Sequence, residues 1–401
     1  MRSFLTSVCF WNLLLFLVAG LGQLIATNRI LTNQNSLFQQ WATQLQQGDH
    51  RLSFDRDLEQ RARQRAALYI DRIEEGFLED GMVVGRNILG EPEDLCDSLL
   101  FTSLYYVSLN KLGYKDKALK TWRAIEKSRQ DGQWFRHPRC RKTTSRDMIL
   151  GVLAALSQDP PGTRNHILET LGYVEKTNGY LSRGRADIGY LAPGVGEIFR
   201  IFAAGQKILP YTLPAHVSWS FSTLEFSALI SQTGYRSHLI ALGAWLEMEL
   251  NRHERYSTAT RIRTATSNLS PLTNPFSPTR LDTNRLPWVT NKIFNGDPKN
   301  LFFRFLRLQS ADALTPLSRS ILLYELLSMD QFPARRLPDN CDRKADYLWQ
   351  RDSDEYNPRS GQCVSYFSGV DFLWMAALLL DGDPLKPDFA TNSARDQASG
   401  S

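Results

Sequence analysis

Four carboxylates stand where they could do chemistry. Asp97, Asp147, Glu197 and Asp371 each open a mainly apolar stretch of helical length, and three share one spacing, 97 to 147 to 197. Two carboxyl groups facing each other across a cleft are what cleavage of a glycosidic bond needs. One protonates the leaving oxygen, and the other acts as base or nucleophile. A plainer role is equally open to each, because an acidic residue at a helix start caps free N–H groups and complements the helix dipole.

Residues 131–157 bring the richest chemistry together. They open on the turn signal Asp131-Gly132, pass through Trp134, Arg136 and His137, and end in a helix (147–156) with apolar or small residues on nearly every side. A helix apolar all round is a buried helix, so this polar, aromatic, basic loop should lie over the mouth of a buried element. Trp134 could stack on a sugar face, His137 could move a proton near neutral pH, and Arg136 could hold an acidic group. The alternative is a loop anchored by Trp134 and covered by a solvated basic patch. A second loop carries Arg183, Arg185 and Tyr190, which could bind substrate or stabilise the charge that develops in a lyase reaction, or make ordinary turn contacts.

The elements that must position these groups read as helices in alternation. Residues 54–77 are helical by their apolar spacing, and 81–92 form a glycine-punctuated loop. Residues 97–112 are mostly apolar, Gly113 ends them, and 115–129 are amphipathic. The pair recurs at 147–156 and 163–176, and a third apolar stretch carries Glu197. A fixed period of this size marks a repeated supersecondary unit. Further helices are expected at 219–232, 237–251, 300–309, 317–329 and from Gly369 to Leu378. The Ser-, Thr-, Asn- and Pro-rich segment 256–298 is expected to loop across one face. β-Signals are sparse, so the fold class is all-α.

Apolar inner helices and amphipathic outer ones imply two concentric layers, and at roughly 50 residues per hairpin there is room for about six units. The alternation, the DGQW at 131–134 and the acids opening inner helices resemble the six-hairpin glycosidase architecture, an α/α toroid. That resemblance covers about 97–205 best. It implies that inner-helix N-termini converge at one end, and that the chain is a carbohydrate-active enzyme, hydrolase before lyase, acting on polysaccharide or oligosaccharide without a cofactor. A non-catalytic envelope protein that binds glycan or a protein partner in the same cleft is the rival.

Composition narrows the field. The 401 residues can bury a large core, and a formal charge of +5 spread along the chain gives no basic face of the kind nucleic acid needs. Arg2 and the apolar run 4–26 read as a signal peptide or a membrane anchor, which sends the rest out of the cytoplasm, to the periplasm, the exterior or the outward face of a membrane. Residues 27–53 then form a polar stalk or linker, 54–384 the toroid domain and 385–401 a disordered tail. Cys96, Cys140, Cys341 and Cys363 lie in the exported part, and four cysteines allow three pairings. Cys96–Cys140 and Cys341–Cys363 close modest loops and are favoured. No CxxC or HExxH motif points to a metal. The acidic run Asp352-Ser353-Asp354-Glu355 lacks the spacing of a calcium loop. No G-x-S-x-G elbow, phosphate loop or dinucleotide fingerprint is present.

Overall fold

The structure is a computed structural model, and it describes residues 56–86, 89–93, 95–141, 144–177, 202, 206, 228, 235–252, 285–329 and 368–381. The described residues are mostly helical, and those from Asp57 onward fall in one compact unit. The run 4–26, the stalk 27–53, the tail 385–401 and the acidic run at Asp352 lie outside the described residues. So do Glu197, Arg183, Arg185, Tyr190, Cys341 and Cys363. Among the described residues no helix is long and apolar enough to cross a membrane.

Ten α-helices are described: α1 (Arg56–Gly76), α2 (Ser98–Leu112), α3 (Lys115–Glu126), α4 (Arg146–Leu156), α5 (Thr163–Lys176), α6 (Tyr235–Arg252), α7 (Arg285–Gly296), α8 (Leu301–Ser310), α9 (Pro316–Met329) and α10 (Val370–Leu380). Phe202 and Ala228 are helical and buried as well. The expected alternation is visible in burial. In α4 and α10 almost every side chain is buried, whereas α3 buries one stripe that includes Ala118, Trp122 and Ile125.

Two expectations need correction. The segment 256–298 is not loop throughout, because its last part forms α7. Pro287 sits in the first turn there, where a missing N–H costs nothing. And the connections into α2 and α4 contain short antiparallel pairs. β1 (Leu78–Glu79) pairs with β2 (Met82–Val83), β3 (Gly85–Arg86) with β4 (Pro92–Glu93), and β5 (Arg129–Gln130) with β6 (Gln133–Trp134). The first and last turn through Asp80-Gly81 and Asp131-Gly132, with φ of 54° and 80°, and 51° and 79°. Positive φ at both central residues is the type I′ geometry that suits a two-residue hairpin. At Gly132 a side chain is also sterically excluded, since a Cβ would lie 2.1 Å from the Glu169 carbonyl oxygen on α5.

The core is built on α2, which packs against α3, α4 and α10. It comes so close to α4 that a Cβ at Gly151 would lie 2.9 Å from Leu100 Cα. α6 packs on α4, α7 and α8, and α9 on α8 and α10. Aromatic rings fill the middle, with Trp245 and Trp374 edge-to-face at 4.7 Å and Phe302 at 5.9 Å from Trp374.

Candidate functional site

The direction of the buried helices decides where the acids lie. α2 and α4 meet near their starts, where Leu100 N–H donates to Met148 Sδ at 3.2 Å. They meet again ten residues on, where Asn110 donates to Gln158 at 3.3 Å. They are therefore parallel. At the C-terminal end of α2, Lys111 Nζ bonds Glu249 of α6 at 2.5 Å and Asp381, just past α10, at 2.6 Å. Gln158 Nε2 donates to the same Glu249 oxygen at 3.3 Å. Lys111 and Glu249 are each only 5% exposed, so this is a buried charge knot binding four helix ends. With their C-termini gathered there, α2, α4 and α10 point their N-termini, and so Asp97, Asp147 and Asp371, toward the opposite end.

The mouth of α2 is closed by its own partners. Asp97 occupies the N-cap position but makes no side-chain cap. Its Oδ1 instead accepts from Arg136 Nη1 at 2.5 Å, and the Arg136 carbonyl takes the Leu99 N–H at 3.0 Å and the Ser98 hydroxyl at 3.2 Å. The expected disulfide Cys96–Cys140 clips the same loops together, with Cα atoms 5.6 Å apart. Arg139 pairs with Glu79 at 2.6 Å and Asp80 at 2.8 Å across the tip of the first hairpin. Two basic groups expected to face a ligand are thus engaged by neighbouring carboxylates.

Trp134 and His137 are more buried than their expected roles require. The Trp134 ring is 1% exposed, its Nε1–H donates to Thr170 Oγ1 at 2.9 Å, and it packs with Trp122 and His166. It pins the hairpin between α3 and α5 and offers no face for a sugar. His137 is fully enclosed. Its Nδ1 accepts from Arg139 N–H at 3.1 Å, and burial first, then Arg139, pull its pKa below the ordinary imidazole value. It stays neutral near pH 7, inside the wall. Trp134 is buried because Trp122 and His166 enclose it between α3 and α5, and His137 because the tip of the first hairpin, at Glu79 and Asp80, lies against it.

The mouth of α4 differs. Ser145 holds the N-cap position in an extended conformation but makes no side-chain cap, and the helix closes through Ile149 N–H to Ser145 O at 3.2 Å. Its Oγ and the Oγ1 of the fully buried Thr144 are enclosed with no hydrogen-bond partner among the described residues. Arg146 and Asp147 follow, both half-buried, and neither has an ion pair or side-chain hydrogen bond with a described residue. None of these four consecutive polar side chains is engaged by a described residue. The sequence singles out Asp147 and leaves Thr144, Ser145 and Arg146 unmarked. The clue was present, since Ser145 is an ordinary N-cap type and only geometry shows that it does not cap. Asp371 lies in the first turn of α10, half-buried.

Among the described residues no group of three or more His, Cys, Asp or Glu could hold a metal ion. Comparisons of the chain with protein-family models, with curated proteins and with solved structures find no match.

Proposed function

We propose that the chain is an exported carbohydrate-active enzyme, built as an α/α toroid of six hairpins, that cleaves a cell-envelope or extracellular polysaccharide by carboxylate acid/base chemistry. The observation that carries this reading is the unengaged carboxylate of Asp147. It stands at the mouth of a buried helix, at the end toward which Asp97 and Asp371 also open. An acid that caps nothing and pairs with nothing among the described residues has only the helix dipole as a structural reason to sit half-buried. The parallel buried helices support the toroid, as does the return of packing from α10 to α2. Phe202 is helical within the third apolar stretch and Ala228 within the expected helix 219–232, which agrees with the alternation. Cys96–Cys140 supports export, since disulfides persist in oxidising compartments.

Asp147 is assigned as general acid or base, with Asp97, Asp371 and Glu197 as candidates for the second carboxyl role. The test is Asp147→Asn, which keeps shape and removes the titratable proton. Release of new reducing ends from a panel of acidic and neutral polysaccharides should fall at least about a hundredfold, the lower range for acid–base catalysis, with unchanged circular dichroism. Undiminished activity would overturn the assignment. A non-catalytic protein that holds glycan or a protein partner in the same cleft is the second reading, favoured by the ion pair that already occupies Asp97.

A further inference from the structure

We infer that the mouth of α4 is a carboxylate-binding subsite, in which Thr144, Ser145 and Arg146 hold the C6 carboxylate of a uronic acid. The inference rests on the polysaccharide reading and deepens it from glycan to acidic glycan.

The argument is one of unmet hydrogen bonding. A buried hydroxyl with no partner forfeits its hydration for nothing, and such groups are few in folded proteins. Here two stand side by side, Thr144 Oγ1 and Ser145 Oγ. They sit at the start of an 11-residue helix whose first N–H groups no side chain caps. Hydroxyl donors, free N–H groups and the positive end of the helix dipole all favour an oxyanion. Arg146, the next residue, has no carboxylate partner among the described residues, and its planar fork matches a carboxylate. A neutral hydroxymethyl would satisfy the hydroxyls and leave the cation and the dipole unanswered. Asp147 lies one residue on, in the same first turn of α4. The basic groups at Arg136 and Arg139, which look like the anion site in the sequence, are already neutralised by Asp97, Glu79 and Asp80.

Glucuronate and glucose differ at C6 alone, and neither can be cleaved, so calorimetric binding of each to the full chain isolates the carboxylate. Glucuronate should bind at least tenfold tighter than glucose. Thr144→Val and Arg146→Gln should each weaken glucuronate at least tenfold, as expected for a hydrogen bond to a charged group, and Arg146→Gln should leave glucose unmoved. Thr144→Ser should restore binding, and the exposed Arg123→Gln should change nothing. Equal affinity for the two sugars would overturn the carboxylate subsite while leaving the glycan reading intact. No binding of either sugar would overturn it too, and Asp147→Asn on polysaccharide then judges the wider reading separately. If Thr144→Val fails to fold, Arg146→Gln on the half-exposed surface still decides.

Discussion

The two helix mouths begin alike and end differently. α2 and α4 run parallel in contact, each is almost wholly buried, and each opens on an aspartate. At α2 the aspartate, the Ser98 hydroxyl and the Leu99 N–H have found partners within the fold. Arg136 takes the carboxylate with its guanidinium and the helix start with its carbonyl, and a disulfide fixes the loops that meet there. At α4 the hydroxyls, the cation and the carboxylate have no partner among the described residues. Parallel buried helices that each carry an aspartate at the start therefore do not make equal sites. What separates a structural acid from a candidate reactive one is whether the surrounding loop has supplied its counter-ion.

The contrast can be broken or sharpened by substitution. The largest effect should come from the far end, which holds both mouths in place. Lys111→Met leaves the buried Glu249 with only the more distant Arg252, at 3.7 Å, as cation among the described residues, and should cost about 3–5 kcal/mol in denaturant unfolding, the usual penalty for stripping one partner from a buried pair. A cost under about 1 kcal/mol would mean that the knot does not fix the helix directions.

Cys96→Ser with Cys140→Ser should cost about 2–4 kcal/mol, given the 44-residue separation that the bond closes. Amide exchange at Leu99 should quicken more than at Ile149, because the clip belongs to the α2 mouth. Equal quickening at both would erase the distinction drawn between them.

The smallest effect separates the acids themselves. Asp97→Asn breaks a partly exposed ion pair and should lower stability by about 0.5–1 kcal/mol, read as a shift in the denaturant midpoint. Asp147→Asn should leave that midpoint in place. Matching losses would show that Asp147 is a structural partner after all.

Much of the helical frame was legible from sequence. The stretch 163–176 is helical over the residues its periodicity marks, and α2 starts one residue later than expected and stops where Gly113 turns left-handed. Apolar periodicity and helix punctuation are local signals, and they survive folding. The misses have equally local causes. The paired strands are two residues long, too short to show alternation, and α7 hides at the end of a Ser-, Thr- and Pro-rich run. The site was half legible. An aspartate before an apolar run marks Asp97 and Asp147 alike, but whether Arg136 reaches one of them depends on helix spacing that no single stretch records. Trp134 and His137 misled for the same reason. Their chemistry suited a ligand, and contacts from α3, α5 and the first hairpin turned them into packing.

The charge knot also sets a timetable for synthesis. Lys111 meets Glu249 across 138 residues and Asp381 across 270. A chain made N-terminus first finishes α2 with an ammonium group on a face destined for burial, and the second of its two carboxylates arrives last. At 5–20 residues per second that interval is roughly 15–50 s. During it the apolar flank of α2 that α10 will cover stays open to other chains. The first hairpins cannot mature as an independent unit, and a stop codon anywhere before Asp381 would release a product with its most connected helix unfinished.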